Sequence, residues 1–386
     1  MERWDALVVG AGPAGSTAAF HLARGGARVL LADKARFPRD KPCGGGVTVR
    51  AAHLLPFSIA PVVEDEVEVF ELRLGYRHRF ERRTSAPLIQ MTQRRRLDAF
   101  LVAQAQEAGV DFRDGAKVET SGGLIVGGEP VQARVLIGAD GANGVLGRAA
   151  GLDDYVRTVA LEGNVPYGPA DRSRHAGRAA IEFGVVPGGY GWVFPKGDHV
   201  NVGVGGWFEE GPRLRAHLGR LCGEHGIPET ALTDVRGHRL PLRRPASAAA
   251  RGTLALVGDA AGLVDPVSGD GIYEALLSAR LAAEAALDIL GGRTADFGSY
   301  AGELRRRLAV QTTASWRAKM ALERFPRATF SLLRAPLAWR GIEALLRSDA
   351  EEPADIGGPG GAALRLAEIL ARLTGDPGGA FRVEAT

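Results

Sequence analysis

Residues 40–48 read DKPCGGGVT, a cysteine followed at once by three glycines. The only other cysteine is Cys222, so spacing gives neither a disulfide framework nor a zinc site. Glycine loses more freedom on ordering than any other residue. A run of three therefore asks what passes close to that backbone, and whether the thiol of Cys43 faces it. A second group of chemical interest is YGWVFP at 190–195. Tyr190, Trp192 and Phe194 alternate there, so on a strand they share one face. Such a face is either the core side of a sheet or an aromatic wall for a long apolar ligand. A third group recurs along the chain as glycine turns that follow apolar runs and carry an acid. These are GAGPAG at 10–15, GADG at 138–141, and GD at 258–259 followed by GDGI at 269–272.

The elements that position the first turn can be read directly. Asp5–Val9 is a short apolar run suited to a buried parallel strand. Gly10, Gly12 and Gly15 follow in G-x-G-x-x-G spacing, then a helical pattern to about Arg24, closed by Gly25 and Gly26. RVLLAD is the next strand, with Asp33 at its carboxyl end. Gly10 makes the tight turn, Gly12 lets backbone approach a pyrophosphate, and Gly15 lets helix and strand pack closely. The helix start, with Ala14 in its first turn, offers free N–H groups and a positive dipole end. Asp33 accepts hydrogen bonds from an adenosine ribose. This pattern means dinucleotide binding but does not separate FAD from NAD.

The later turns make that choice. Asp259, at a strand end, can lay its carboxylate on the hydroxyls of a ribityl chain. The turn 269–271 opens a helix whose N–H groups can face the pyrimidine end of an isoalloxazine and favour the charge that builds on it during reduction; an ordinary strand–loop–helix crossover is the plainer alternative. Three glycine–acid turns over this span do not fit one simple NAD domain. In order, they resemble the FAD-dependent oxidoreductases with the p-hydroxybenzoate hydroxylase type of fold, over about residues 5–290. The resemblance implies an α/β, Rossmann-like FAD-binding domain from 1–50, 90–158 and 250–292. Inserted in it would be an α+β substrate domain with an antiparallel sheet, 51–89 and 159–249, and helices would follow over 293–386.

KPCGGG at 41–46, YGWVFPKGD at 190–198 and RRRLDAFL at 94–101 narrow the match. Together they are similar to the geranylgeranyl reductase family, flavoenzymes that saturate double bonds of isoprenoid chains. By that resemblance Arg94 touches the FAD, Val118 lies by the adenine, Cys43 and Gly45 line the flavin, and Gly271 and Ile272 meet the isoalloxazine through backbone. Ala14 and Asp33 serve the pyrophosphate and ribose, and Tyr190, Trp192 and Phe194 line the substrate. Hydride would pass from reduced flavin to one alkene carbon while a proton reaches the other from Cys43, Tyr190 or a trapped water, with Trp192 beside the reacting bond. The reductant would be NAD(P)H or ferredoxin, and no metal is expected. Two departures stand out: Asp33 where many relatives have Glu, and Asn143 where Ser is frequent. The rival within the same fold is a monooxygenase or halogenase acting on an aromatic or other apolar molecule. Halogenases carry a W-x-W-x-I-P strand, from which this chain departs at Tyr190 and Phe194.

The 386 residues carry a net charge of +3 and a sequence pI near 9.0. That balance suits anionic cofactors or a membrane surface and is too weak to imply nucleic acid. With two distant cysteines, no leader pattern and no long apolar run, the expected place is the cytoplasm, with peripheral contact to the inner membrane surface. Residues 300–348 alternate apolar and basic positions at helical spacing. They read as helices capping the body, or as a basic face resting on anionic lipid. A linker over 351–363 and a short helix over 364–373 complete the reading.

Overall fold

The computed structural model describes residues 1–120 and 123–347, together with residues 358 and 362. The first sheet runs in the order Ala250–Arg251, Leu254–Leu256, Glu129–Gly138, Glu2–Val9, Val29–Ala32, Asp111–Arg113. From Leu254–Leu256 to Asp111–Arg113 its pairings are parallel. Val29–Ala32 is buried at every position, as expected for a strand covered on both faces. The helices Pro13–Arg24 and Ile272–Leu290 share one core with these strands, in which Leu22 and Leu276 meet Leu7, Leu31 and Ile137. Gly15 permits that approach: a Cβ there would lie 1.7 Å from the Gly10 carbonyl oxygen.

The second sheet runs Thr233–Arg243, Tyr155–Pro166, His199–Trp207, Tyr190–Pro195, Arg178–Phe183, Val69–Leu74, His78–Arg83. It is antiparallel except where Arg178–Phe183 runs parallel to Val69–Leu74. One of its faces is closed by the helix Leu214–Glu224, whose Leu218, Leu221 and Cys222 pack on Val193, Val202 and Val204. That leaves the other face for the cavity described below. The boundary expected at 158 falls inside a single strand, Tyr155–Pro166, which pairs wholly within this sheet. A third, small sheet was not anticipated. It joins Gly46–Thr48, Ile89–Thr92 and Val63–Val67, and so ties the glycine run to the second part of the chain.

Three helices follow: Gly298–Arg324, Pro326–Leu333 and Pro336–Arg347. A proline opens each of the last two, where its missing N–H would have no partner in any case. Phe330 and Trp339 seat them on the second sheet, with ring centroids 5.1 Å from Phe80 and 5.3 Å from Phe70. Trp316 anchors the long helix against Leu242 and Val264 and donates from Nε1 to the Arg243 carbonyl at 2.7 Å. The helix expected over 364–373, and most of the expected linker before it, lie outside the described residues. Among the described residues no helix is long and apolar enough to cross a membrane.

Candidate active site

One cavity of about 1230 Å³ runs from the first glycine turn, past the second sheet, to the C-terminal helices. Of the residues singled out in the sequence, Gly10, Gly12, Ala14, Asp33, Cys43, Gly45, Arg94, Val118, Tyr190, Trp192, Phe194, Asp259, Gly271 and Ile272 all line it. Gly15 does not, because its place is the helix–strand contact already described. The tight turn at Gly10 has φ +99°, and a Cβ there would lie 2.2 Å from the Ala139 carbonyl oxygen. At Gly12 the space is open. The nearest atoms to a Cβ would be guanidinium nitrogens of Arg39 and Arg94, at 3.5 and 3.6 Å. A backbone slot flanked by two arginines, at a helix start that no side chain caps, fits a diphosphate.

Both arginines are held by Asp98, which is fully buried. Arg94 makes a bidentate pair with it at 2.7 and 2.8 Å, and Arg39 Nη1 lies at 3.0 Å. Asp33 accepts from the N–H groups of Ala11 and Ala35, both at 2.8 Å, and so fixes the turn as well as marking the ribose end. Asp259 accepts from Lys41 Nζ at 2.7 Å, and that ammonium, with His238 at 3.9 Å, holds its carboxyl well below the usual carboxylate range against the opposing effect of burial. Near Gly271 the arrangement differs from the expectation of open N–H groups. Ile272 N–H donates to Asp270 Oδ1 at 2.8 Å, and burial raises that carboxyl.

The glycine run answers to its protein neighbours at each position. A Cβ on Gly44 would lie 2.9 Å from the Phe194 ring, and one on Gly46 would lie 2.9 Å from Ile89. Gly45 has φ +74°, and a Cβ there would stand 2.0 Å from both Lys196 Nζ and the Thr92 carbonyl oxygen. Cys43 is half-buried. Its N–H donates to Glu162 Oε1 at 2.7 Å and its Sγ accepts from Gly45 N–H at 3.4 Å.

Tyr190, Trp192 and Phe194 do form one row, with successive centroids 6.0 and 6.3 Å apart. Between them Gly191 faces the opposite side, where a Cβ would meet Leu221 at 2.9 Å. Trp192 lies over Gly203 and donates to Asn201 Oδ1 at 2.7 Å. The Tyr190 hydroxyl donates to the Ser268 carbonyl. Burial, with Asp270 and Asp265 nearby, pushes that hydroxyl far above its ordinary range.

Sequence reasoning missed Arg39, Lys41, Glu162 and His238 at the cavity surface, and Lys196 behind it. Lys41 stands inside the quoted KPCGGG, and a basic residue beside a candidate cofactor loop is the one signal that was available. It also left undecided what the C-terminal helices do. Val310, Leu322, Phe325, Leu332, Ile342 and Leu346 from those helices line the far half of the cavity.

Comparison with known proteins agrees with this geometry. Residues 3–166 match the family described as FAD binding domain. The chain is 32% identical over 349 residues to the chloroplastic geranylgeranyl diphosphate reductase of Oryza sativa subsp. japonica, covering 82% of this chain and 73% of that protein. It is 34% identical over 315 residues to a menaquinone reductase of Mycolicibacterium smegmatis, covering 73% and 76%. A similar solved structure is the geranylgeranyl bacteriochlorophyll reductase-like protein of Thermoplasma acidophilum, with TM-score 0.78, 23% identity, and 95% and 96% of the two chains covered. The flavin-dependent brominase Bmp2 is also similar, with TM-score 0.73, 18% identity and 97% and 100% covered, so likeness of shape speaks for the fold alone. The slot at Gly12, its two arginines and Asp33 fit FAD, and with the relatives above they make this chain a member of the geranylgeranyl reductase family of FAD-dependent oxidoreductases.

Proposed function

We propose that this enzyme saturates carbon–carbon double bonds of an isoprenoid chain, geranylgeranyl or polyprenyl. The observation that carries the reading is the continuity of the cavity. It begins at the dinucleotide cradle, passes Cys43 and the Tyr190–Phe194 row, and ends among apolar side chains of the C-terminal helices. A long hydrocarbon chain is the ligand class that such a passage suits. When bound and reduced by NAD(P)H or ferredoxin, FAD would supply the hydride and return to its oxidised form.

The chain's own residues then have separate tasks. Arg39, Arg94 and the Gly12 turn hold the diphosphate. Trp192 and Phe194 align the alkene and keep water from it. An isolated alkene is weakly polarised, so its proton must arrive together with the hydride. Tyr190 is the poorer acid, because its hydroxyl is committed to the Ser268 carbonyl and burial raises it. Cys43 is half-buried, lines the cavity, and is the better-placed proton source.

The far end of the cavity supports a lipid-borne substrate taken from a membrane surface. On the helices that close it, Phe325, Leu332 and Leu337 are exposed, as are Arg324, Arg327, Arg334 and Arg340. The test of the main reading is anaerobic. Protein reduced with dithionite is mixed with geranylgeranyl diphosphate or a polyprenyl quinone while the flavin absorbance is followed. Reoxidation by either compound is expected, with the two added hydrogens located in the isoprenoid chain by mass fragmentation, because a quinone ring can itself take two electrons from reduced flavin. Stable reduced flavin with both, followed by rapid turnover of an aromatic substrate once oxygen is admitted, would replace this reading with a monooxygenase.

A further inference from the structure

The loop that carries Cys43 is held from behind by polar side chains of the second sheet. Lys196 follows directly on the aromatic strand, is 2% exposed, and does not reach the cavity surface. Its ammonium donates to the carbonyls of Gly44 at 2.5 Å and Thr92 at 2.7 Å. Thr92 in turn donates from N–H and Oγ1 to the Gly45 carbonyl, at 2.8 and 3.1 Å. On the other side of the loop, Glu162 Oε1 accepts the Cys43 N–H at 2.7 Å. Asn201 accepts from Trp192 Nε1 at 2.7 Å and donates to Asn164 Oδ1 at 3.0 Å, so the strand pair that carries Glu162 supports the aromatic wall as well as the loop.

A buried ammonium is expensive unless its protons are used. Here burial draws Lys196 down to about 8, offset by Cys43, Glu162, Glu64 and Asp40 around it. An apolar residue in its place would leave the Gly44 and Thr92 carbonyls without these donors.

We propose that Lys196 is a positioning residue: with Glu162 across the loop, it sets where the Cys43 thiol stands relative to the Trp192–Phe194 wall. It acts through Gly44 and touches no substrate. The inference rests on the cavity being the reductase site, but its first readout needs no substrate.

The experiment uses FAD-loaded protein and compares wild type with Lys196→Met, Glu162→Ala and Glu162→Gln. Hydrogen exchange of the peptide spanning 41–47 should quicken by about tenfold or more in Lys196→Met and Glu162→Ala, the size expected when a buried polar group loses its partner. Exchange over the Gly10–Gly15 turn should stay at the wild-type rate. Turnover per bound flavin should fall by about tenfold or more with KM changed less than about threefold, because the wall remains while the thiol is misplaced. Glu162→Gln keeps an acceptor for the Cys43 N–H and should restore both readouts. If Lys196→Met fails to fold, Lys196→Gln, which keeps a donor on a shorter arm, is read in its place beside the Glu162 pair. Unchanged exchange at 41–47 in the variants that fold would overturn the proposal, as would faster exchange with unchanged turnover per flavin, which a purely structural support would give. Should wild type turn over no isoprenoid, the reductase reading fails, and the exchange result still tells whether the clamp exists.

Discussion

Replacing Arg94 by methionine separates what this arginine does for the fold from what it does for the ligand. Arg94 is 6% exposed, and its bidentate bonds at 2.7 and 2.8 Å meet a carboxylate, Asp98, that is fully buried. Breaking one side of a buried pair costs about 3–5 kcal/mol, because the other charge is left stranded. The loss here should lie at the lower end of that range, since Arg39 Nη1 remains 3.0 Å from Asp98. The ligand effect is distinct. The Arg94 guanidinium borders the open slot at Gly12, and a charge-assisted bond to a phosphate oxygen contributes about 1.5–3 kcal/mol. Removing it should weaken FAD binding by about 10- to 150-fold. In the double variant Arg94→Met/Asp98→Asn the stranded charge is gone. Most of the stability should then return while the affinity for FAD stays low. Thermal melts of flavin-free protein give the first quantity, and quenching of flavin fluorescence on titration gives the second. An FAD affinity within about twofold of wild type in the double variant would refute the assignment of Arg94 to the diphosphate.

Two further outcomes follow from the same physics. Glu274 is buried in the helix Ile272–Leu290 and accepts from Gln311 on one oxygen at 3.2 Å, while its other oxygen has no hydrogen-bond partner among the described residues. Burial, with Asp270 and Asp265, raises its carboxyl well above the ordinary 4.5. Its contribution to stability is therefore full below that ordinary value and is lost as pH rises through the folded one. Glu274→Gln should raise the melting temperature at mildly alkaline pH and leave it unchanged near pH 4.5, and an equal effect at both would contradict this. At the far end of the cavity, Phe325→Ser/Leu337→Ser should weaken co-sedimentation with anionic vesicles by about tenfold, from the apolar area withdrawn from lipid. Unchanged binding would mean that this face does not meet a membrane.

Much of the cofactor side was legible because its determinants are local. The Gly10, Gly12 and Gly15 spacing, the strands on either side and the terminal Asp33 sit within the first part of the chain and obey one pattern. The alternation at Tyr190, Trp192 and Phe194 likewise follows from strand geometry alone. Lys196, Glu162 and Asn201 were not legible, because their roles arise only when strands distant in sequence are paired. Tyr155–Pro166 brings Glu162 opposite Gly203, and the Cys43 loop then meets Glu162 on that strand and Phe194 on Tyr190–Pro195. The glycine run shows the same limit. That it had to be bare was readable, but that Phe194, Lys196 and Ile89 are what it approaches was not. The amphipathic C-terminal helices left their apolar side without an address until Phe330 and Trp339 placed it against the second sheet.

In the proposed reaction a carbon–carbon double bond is what the reduced flavin empties into. A single anaerobic turnover tests it, with reduced protein in excess over a geranylgeranyl or polyprenyl substrate and the recovered lipid weighed by mass spectrometry. Saturation of the chain predicts two added hydrogens, located in the isoprenoid by fragmentation, for each flavin reoxidised. A lipid of unchanged mass, or one that has gained oxygen after air is admitted, would contradict it.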